Sequence, residues 1–160
     1  MKPERLSILF VAAVLAHNFE EAVWLPGWSE SAGGWQTPVS APAFRLAATA
    51  ISLLLVAVAA LAHVSGPRSR SVHVLAGFAV AMVANVVFPH LIASVALRIY
   101  APGTGTAVFL VAPSGLLLLR ALHSRGYIDI KRMYWVAPLV TFLLLLSIPA
   151  LFWVGMKMVG

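Results

Sequence analysis

Five long apolar runs separated by short polar stretches organise this chain. They extend roughly from Leu6 to Leu25, Phe44 to His63, Val72 to Tyr100, Thr104 to Leu122 and Tyr134 to Met156. Each is about as long as the roughly 20 residues that a helix needs to cross a bilayer. The expected fold is therefore all-α, a single helical domain over residues 1–160 with about five transmembrane helices. A Trp/Gly/Pro/Ser stretch through about Pro42 joins the first two spans, and polar loops around Arg68 and Arg70 and from Arg125 to Arg132 separate later ones. The third run is long enough to require tilt or a break, and Pro89 is the expected kink because its ring removes a backbone donor. Pro138 falls in the first turn of the fifth span and Pro149 inside it.

Composition supports the membrane reading: 61% of residues are hydrophobic, 10% are charged, and mean hydropathy is +0.95. Such values lie far outside the makeup of soluble domains. The chain reads as a multi-pass integral protein, with a bacterial plasma membrane as the expected location and membrane lipids as its surroundings. No cysteine is present, so disulfides and thiolate metal sites are excluded. The net charge of +6 does not point to nucleic acid, because the basic residues fall mostly in short loops. Lys2, Arg5, Arg68, Arg70, Arg120, Arg125, Lys131 and Arg132 share one side of a five-span model, leaving Arg45, Arg98 and Lys157 for the other. The positive-inside rule then makes the N-terminal end cytoplasmic and the C-terminal end external. Trp24, Trp28, Trp35, Tyr100 and Trp153 would mark the outer interface, and Tyr134 and Trp135 the inner one. Val14-Leu15-Ala16 resembles a signal-peptide cleavage site, but an uncut helix continuing to Trp24 is the simpler reading.

Against this apolar background, His17-Asn18-Phe19-Glu20-Glu21 stands inside the first span. A charged side chain at mid-depth costs about 2.5–3.5 kcal/mol on insertion scales, whereas polar contacts between spans return about 0.6 kcal/mol on average. An intramembrane ionisable residue is therefore a functional candidate first. At about 1.5 Å of rise per residue, His17 lies roughly halfway to two-thirds across. Glu20 and Glu21 lie about one turn further out, Asn85 sits at a similar depth, and His90 is somewhat higher. Thr104 and Thr106 begin the fourth span from the same side. Constellations far apart in sequence thus converge on the outer half of the bilayer. Steps of three and four residues return to nearly one helix face, so His17, Glu20 and Glu21 can share a cavity. An imidazole and carboxylates suit zinc, iron or manganese, with His90 as the ligand from another span. Without metal, adjacent carboxyls can divide acid and base roles, and Asn85 can donate to an oxyanion.

These residues resemble the HXXEE family of small integral membrane proteins. Its pattern is His-x-x-Glu-Glu in the first span, an Asn followed by a His in a later span, and Pro-Gly-x-x-Thr. Here those positions are His17, Glu20 and Glu21; Asn85 and His90; and Pro102, Gly103 and Thr106. The family spacing of Asn-x-x-x-His is lengthened to five steps, with Pro89 between. On a regular helix five steps set Asn85 and His90 about 140° apart, so a kink or bulge is needed if both are to face one pocket. The resemblance implies a shared site and names no reaction.

The leading functional expectation is an enzyme acting on a lipid or other hydrophobic small molecule. His17, Glu20, Glu21 and His90 would hold a divalent metal; Glu20, Glu21 and Asn85 would be catalytic; and Pro102, Gly103 and Thr106 would shape the mouth. The alternatives are a metal-free Glu-Glu hydrolase or isomerase, a proton-coupled carrier, and a structural membrane protein. Neither a nucleotide-binding loop nor a serine elbow nor a His-Glu-x-x-His helix occurs, and no inverted repeat favours a carrier. An oligomer is left open. Plainer roles are expected elsewhere: His63, His73 and His123 as interfacial or loop residues, and Arg45 and Arg98 as side chains snorkelling to headgroups.

Overall fold

The computed structural model describes residues 1–33 and 37–159; Trp35, expected in an aromatic belt, lies outside them. Five helices long and apolar enough to span a membrane succeed one another: α1 (Pro3–Ser31), α2 (Ala41–Ser65), α3 (Arg70–Leu97), α4 (Thr104–Ser124) and α5 (Ile130–Val159). No strand occurs among the described residues. The boundaries have local causes. The Ser40 and Ser69 hydroxyls each accept from a backbone N–H of the next helix's first turn, Ala43 and Val72, at 3.3 Å. Gly66 closes α2 at a φ of 72°, and Arg98 closes α3 at 54°. The third helix thus stops at Leu97, short of the expected Tyr100, because a left-handed residue cannot continue it.

The helices pack as a bundle in which α1 touches α2 and α4, while α5 lies against α2 and α3. Phe10, Val14, Leu55, Phe78 and Leu118 are fully buried at its centre. Outward-facing positions are large and apolar, among them Val95, Phe109, Leu145 and Leu53, each at least 63% exposed. Such a shell suits hydrocarbon rather than water. Small residues bring helices together: a Cβ on Gly155 of α5 would stand 2.7 Å from the Ala43 Cα of α2.

Two prolines shape the helices around the polar cluster. Pro26 lies inside α1 and has no N–H for the carbonyl of Ala22, four residues earlier. Arg45 of α2 donates its Nε–H to that carbonyl at 3.2 Å. Arg45 is exposed and also fills the backbone vacancy left by this proline. In α3, Pro89 follows Phe88, whose backbone is extended (φ −125°, ψ 120°), and the helical path is broken and widened over Val86–Leu91.

His73 corrects another expectation. Rather than an interfacial residue it is 2% exposed. Its Nδ1–H donates to the Ser69 carbonyl at 2.8 Å, and its Nε2 accepts from the backbone N–H of Asp129 at 3.1 Å. It thereby satisfies a donor just ahead of α5, while Arg68 donates to the Gly126 carbonyl at 2.9 Å and joins the same two loops. Removing one partner of a buried hydrogen bond costs about 1–3 kcal/mol. His73→Ala is expected to lower unfolding stability by about that amount, read by denaturant titration in detergent, with the distant polar cluster unchanged.

Candidate metal centre

The polar cluster is assembled from α1, the break in α3 and the turn that opens α4. His17 and Glu21 stand one helical turn apart on α1, and His90 comes from the displaced turn after Pro89. The two imidazoles meet edge to face, with centroids 4.8 Å apart and planes at 84°. His17 is 1% and His90 2% exposed. The Glu21 carboxylate lies between them, with Oε2 3.7 Å from His17 Nε2 and Oε1 3.4 Å from His90 Nε2. One ligand atom from each of the three residues falls within 4.8 Å of the others. Ligands around a tetrahedral zinc with bonds of 2.0–2.1 Å stand about 3.3 Å apart, and each imidazole nitrogen is near that distance from a different Glu21 oxygen.

The imidazole tautomers follow from their neighbours. His17 Nδ1 faces the Gly103 carbonyl at 3.2 Å and Thr106 Oγ1 at 3.1 Å. A carbonyl only accepts, so Nδ1 carries the proton and Nε2 presents its lone pair toward Glu21 and His90. Ligating histidines are held in this way when the ring nitrogen away from the metal donates to a fixed oxygen. His90 makes its own ring hydrogen bond to the Pro102 carbonyl, while its Nε2 is buried without a hydrogen-bond partner. An orphaned buried nitrogen is rare in native proteins, and this one points at a carboxylate and a second imidazole. The residues therefore fit a divalent ion.

Glu20 has a different task. Its carboxylate accepts from the Tyr100 hydroxyl, from the backbone N–H groups of Gly103 (3.0 Å) and Thr106 (3.4 Å), and from the Thr106 hydroxyl (2.7 Å). The Tyr100 oxygen in turn accepts from Gly105 N–H at 2.9 Å. The first N–H groups of a helix have no partner inside it, and no side chain of α4 caps its own start. Glu20 and Tyr100 supply those partners from outside, and a carboxylate there also suits the positive end of the helix dipole. Partial removal from water, and then its bond to Glu20, raise the Tyr100 pKa above the ordinary phenol value, so the hydroxyl stays a donor at neutral pH.

Thr106 links the two halves of the site. With its hydroxyl proton given to Glu20, its oxygen is free to accept from His17 Nδ1–H. Gly103 sits in the left-handed region at φ 87°. A Cβ there would lie 2.7 Å from His90 Cε1, 2.8 Å from His17 Cε1 and 3.0 Å from Glu21 Cγ. Only a glycine lets this turn lie against all three candidate ligands.

Of the residues singled out by sequence, His17, Glu21 and His90 come together as one candidate ligand set. Glu20 does not join them, because its oxygens are taken by the α4 turn. Asn85 reaches the edge of the cluster, its Nδ2 3.5 Å from His17 Nε2, at the long limit for a hydrogen bond. The break at Phe88 offsets the five-step spacing that would otherwise turn Asn85 and His90 apart. Gly103 and Thr106 lie against the cluster, and Pro102 contributes its carbonyl to His90. Asn18, beside His17 in sequence, faces α2 and donates to Ser52 Oγ at 2.8 Å. By sequence Tyr100 and Trp28 are interface aromatics and nothing more. Tyr100 serves Glu20, and Trp28 is turned inward with its Nε1 buried and unpartnered. Nothing in the sequence distinguished either from Trp24, which is 65% exposed.

Residues 8–118, which hold every residue of this cluster, match the family model described as a protein of unknown function with HXXEE motif. The chain belongs to this HXXEE family. It is also 36% identical, over 149 residues, to the uncharacterised protein YrkK of Bacillus subtilis (strain 168), covering 92% of this chain and 94% of that protein. No solved structure matches it. In this HXXEE protein the two glutamates of the motif part: Glu21 faces the candidate ligand cluster with His17, and Glu20 faces the α4 turn.

Proposed function

We propose that this HXXEE protein is an intramembrane enzyme whose His17, Glu21 and His90 hold a divalent metal and whose substrate is a lipid or another hydrophobic molecule. The observation that carries this reading is the buried, unpartnered Nε2 of His90, aimed at a carboxylate and a second imidazole at near-ligand spacing. Zinc, iron and manganese all suit two imidazoles and one carboxylate. Bound there, such an ion supplies a Lewis acid and an activated water. The chain's own residues do the rest. Thr106 and Gly103 hold His17 with its proton on Nδ1, Glu20 anchors Thr106, and Asn85 stands where its amide can donate to a substrate oxygen. A metal-free Glu-Glu pair is less well supported, because Glu20 is saturated by donors from α4. The basic loops favour a cytoplasmic N-terminal end, which sets the centre in the outer half of a bacterial plasma membrane.

Metal content tests this reading. Protein purified in detergent without chelators is expected to carry roughly one zinc, iron or manganese ion per chain by plasma mass spectrometry, a stoichiometry set by one three-ligand site. His17→Ala, Glu21→Ala and His90→Ala are each expected to lose it, and His73→Ala to keep it. Wild type that holds no metal after reconstitution with each of the three ions would overturn the proposal.

A further inference from the structure

A groove of about 510 Å³ runs between α1 and the connection from α3 to α4. Trp24, Trp28, Tyr100 and Glu20 line it, and none of its other lining residues carries a charge. Trp24 is 65% and Tyr100 58% exposed. The two faces make up most of an aromatic ring's area, so each of these rings leaves a face uncovered. Tyr100 is also held in place, because its hydroxyl donates to Glu20 and accepts from the Gly105 N–H. Aromatic residues at this level ordinarily form a membrane belt; these differ in sharing a groove with an anion. Glu20 also restricts what can enter. An ionised carboxylate offers about four acceptor positions, and the Tyr100 hydroxyl, the Thr106 hydroxyl and the N–H groups of Gly103 and Thr106 occupy them. Its charge remains, while its acceptor positions are taken.

We propose that this groove binds a trimethylammonium group, with Trp24 and Tyr100 against its methyl groups and Glu20 opposing its charge. The ligand class follows from the wall chemistry. A cation is attracted both by aromatic faces and by the carboxylate. A primary ammonium entering the groove would give up its hydrogen bonds to water without an acceptor to replace them. A quaternary ammonium has no N–H to satisfy and loses nothing of that kind. The same group is carried by water-soluble amines and by choline lipid headgroups, and the groove meets either through the same contacts. The site goes beyond the enzymatic reading and involves no metal.

The test is ¹⁹F resonance of 5-fluorotryptophan-labelled, chelator-treated protein in a maltoside detergent, so that failure of the metal centre leaves this result intact. The Trp24 signal is assigned by its loss in Trp24→Phe or, if that variant does not accumulate, by elimination using Phe variants of the other tryptophans. Choline, titrated at constant ionic strength, is expected to shift the Trp24 signal saturably and to leave Trp135 and Trp153, which are 82% and 61% exposed, in place. The uncharged isostere 3,3-dimethylbutan-1-ol and the primary amine ethanolamine are each expected to act more weakly. Trp24→Leu, read at the Trp28 signal, is expected to weaken choline binding about 3- to 30-fold, the size of one cation–π contact. No choline shift, an equal shift with the uncharged isostere, a larger one with ethanolamine, or unchanged affinity in Trp24→Leu would each overturn the site. Nanodiscs then assign the source. A Trp24 signal displaced in phosphatidylcholine relative to phosphatidylglycerol, with Trp153 unmoved and no further response to choline, supports a lipid headgroup; a signal that choline still moves in phosphatidylcholine supports a soluble amine.

Discussion

Gly103→Ala will cost this protein about 3 kcal/mol or more of unfolding stability and will disorder the ligand cluster. Two independent effects add. An alanine held at the φ of 87° carries a left-handed penalty of about 1–2 kcal/mol. Its methyl would then meet His90, His17 and Glu21 at 2.7, 2.8 and 3.0 Å, and overpacking of this kind typically costs about 1–3 kcal/mol. Neither imidazole can retreat without loss, because His17 is fixed by the Gly103 carbonyl and Thr106, and His90 by the Pro102 carbonyl. Chemical unfolding in detergent, paired with metal content, measures both consequences. An alanine variant with wild-type stability and metal would mean that the α4 turn does not press on the ligands as described.

The two neighbouring glutamates are expected to fail in different ways. Glu21→Gln replaces the carboxyl member of the candidate ligand set with an amide of similar shape, so on the proposed reading metal binding should be abolished and stability kept. Glu20→Gln should chiefly lower stability and only weaken metal binding. An amide offers one acceptor oxygen where the carboxylate receives from Tyr100, Gly103 and Thr106, and hydrogen bonds to charged groups are worth about 1.5–3 kcal/mol each. A loss of about that size is expected, together with a metal affinity reduced roughly 10–100-fold, as for partners that orient a ligand from behind. Competition for zinc against a chelating dye, alongside denaturant unfolding, separates the two variants. Equal loss of metal in both, with stability unchanged in both, would return Glu20 to the ligand set.

The overall architecture was readable because a bilayer imposes a simple code. Five apolar runs of spanning length, with basic residues gathered in alternate loops on one side, leave few arrangements for the backbone, since every N–H and C=O must be satisfied within a helix. The break at Pro89 was readable for a similar reason: a proline removes a donor wherever it stands. The convergence of His17, Asn85, His90 and Thr106 followed from depth alone, because rise per residue converts position in a span into height in the membrane.

Depth does not specify direction, and direction divided the site. Sequence treated Glu20 and Glu21 as equivalent, since both lie within one turn of His17. Their separation arises from the start of α4, whose unpaired N–H groups need an acceptor and find Glu20 nearest. Arg45, though exposed, is held by a carbonyl that Pro26 left open on a neighbouring helix, and His73 by the backbone N–H of Asp129 ahead of α5. Trp28 stands one turn beyond Trp24 on nearly the same face of α1, and differs from it in lying beside Phe88 and Pro102. The sequence by itself determined the class of protein, the number and course of its spans, and which polar residues share a level. Only the tertiary structure decided which of them meet, because partners on other helices are chosen by rotation and close packing, and neither is written in the spacing along one chain.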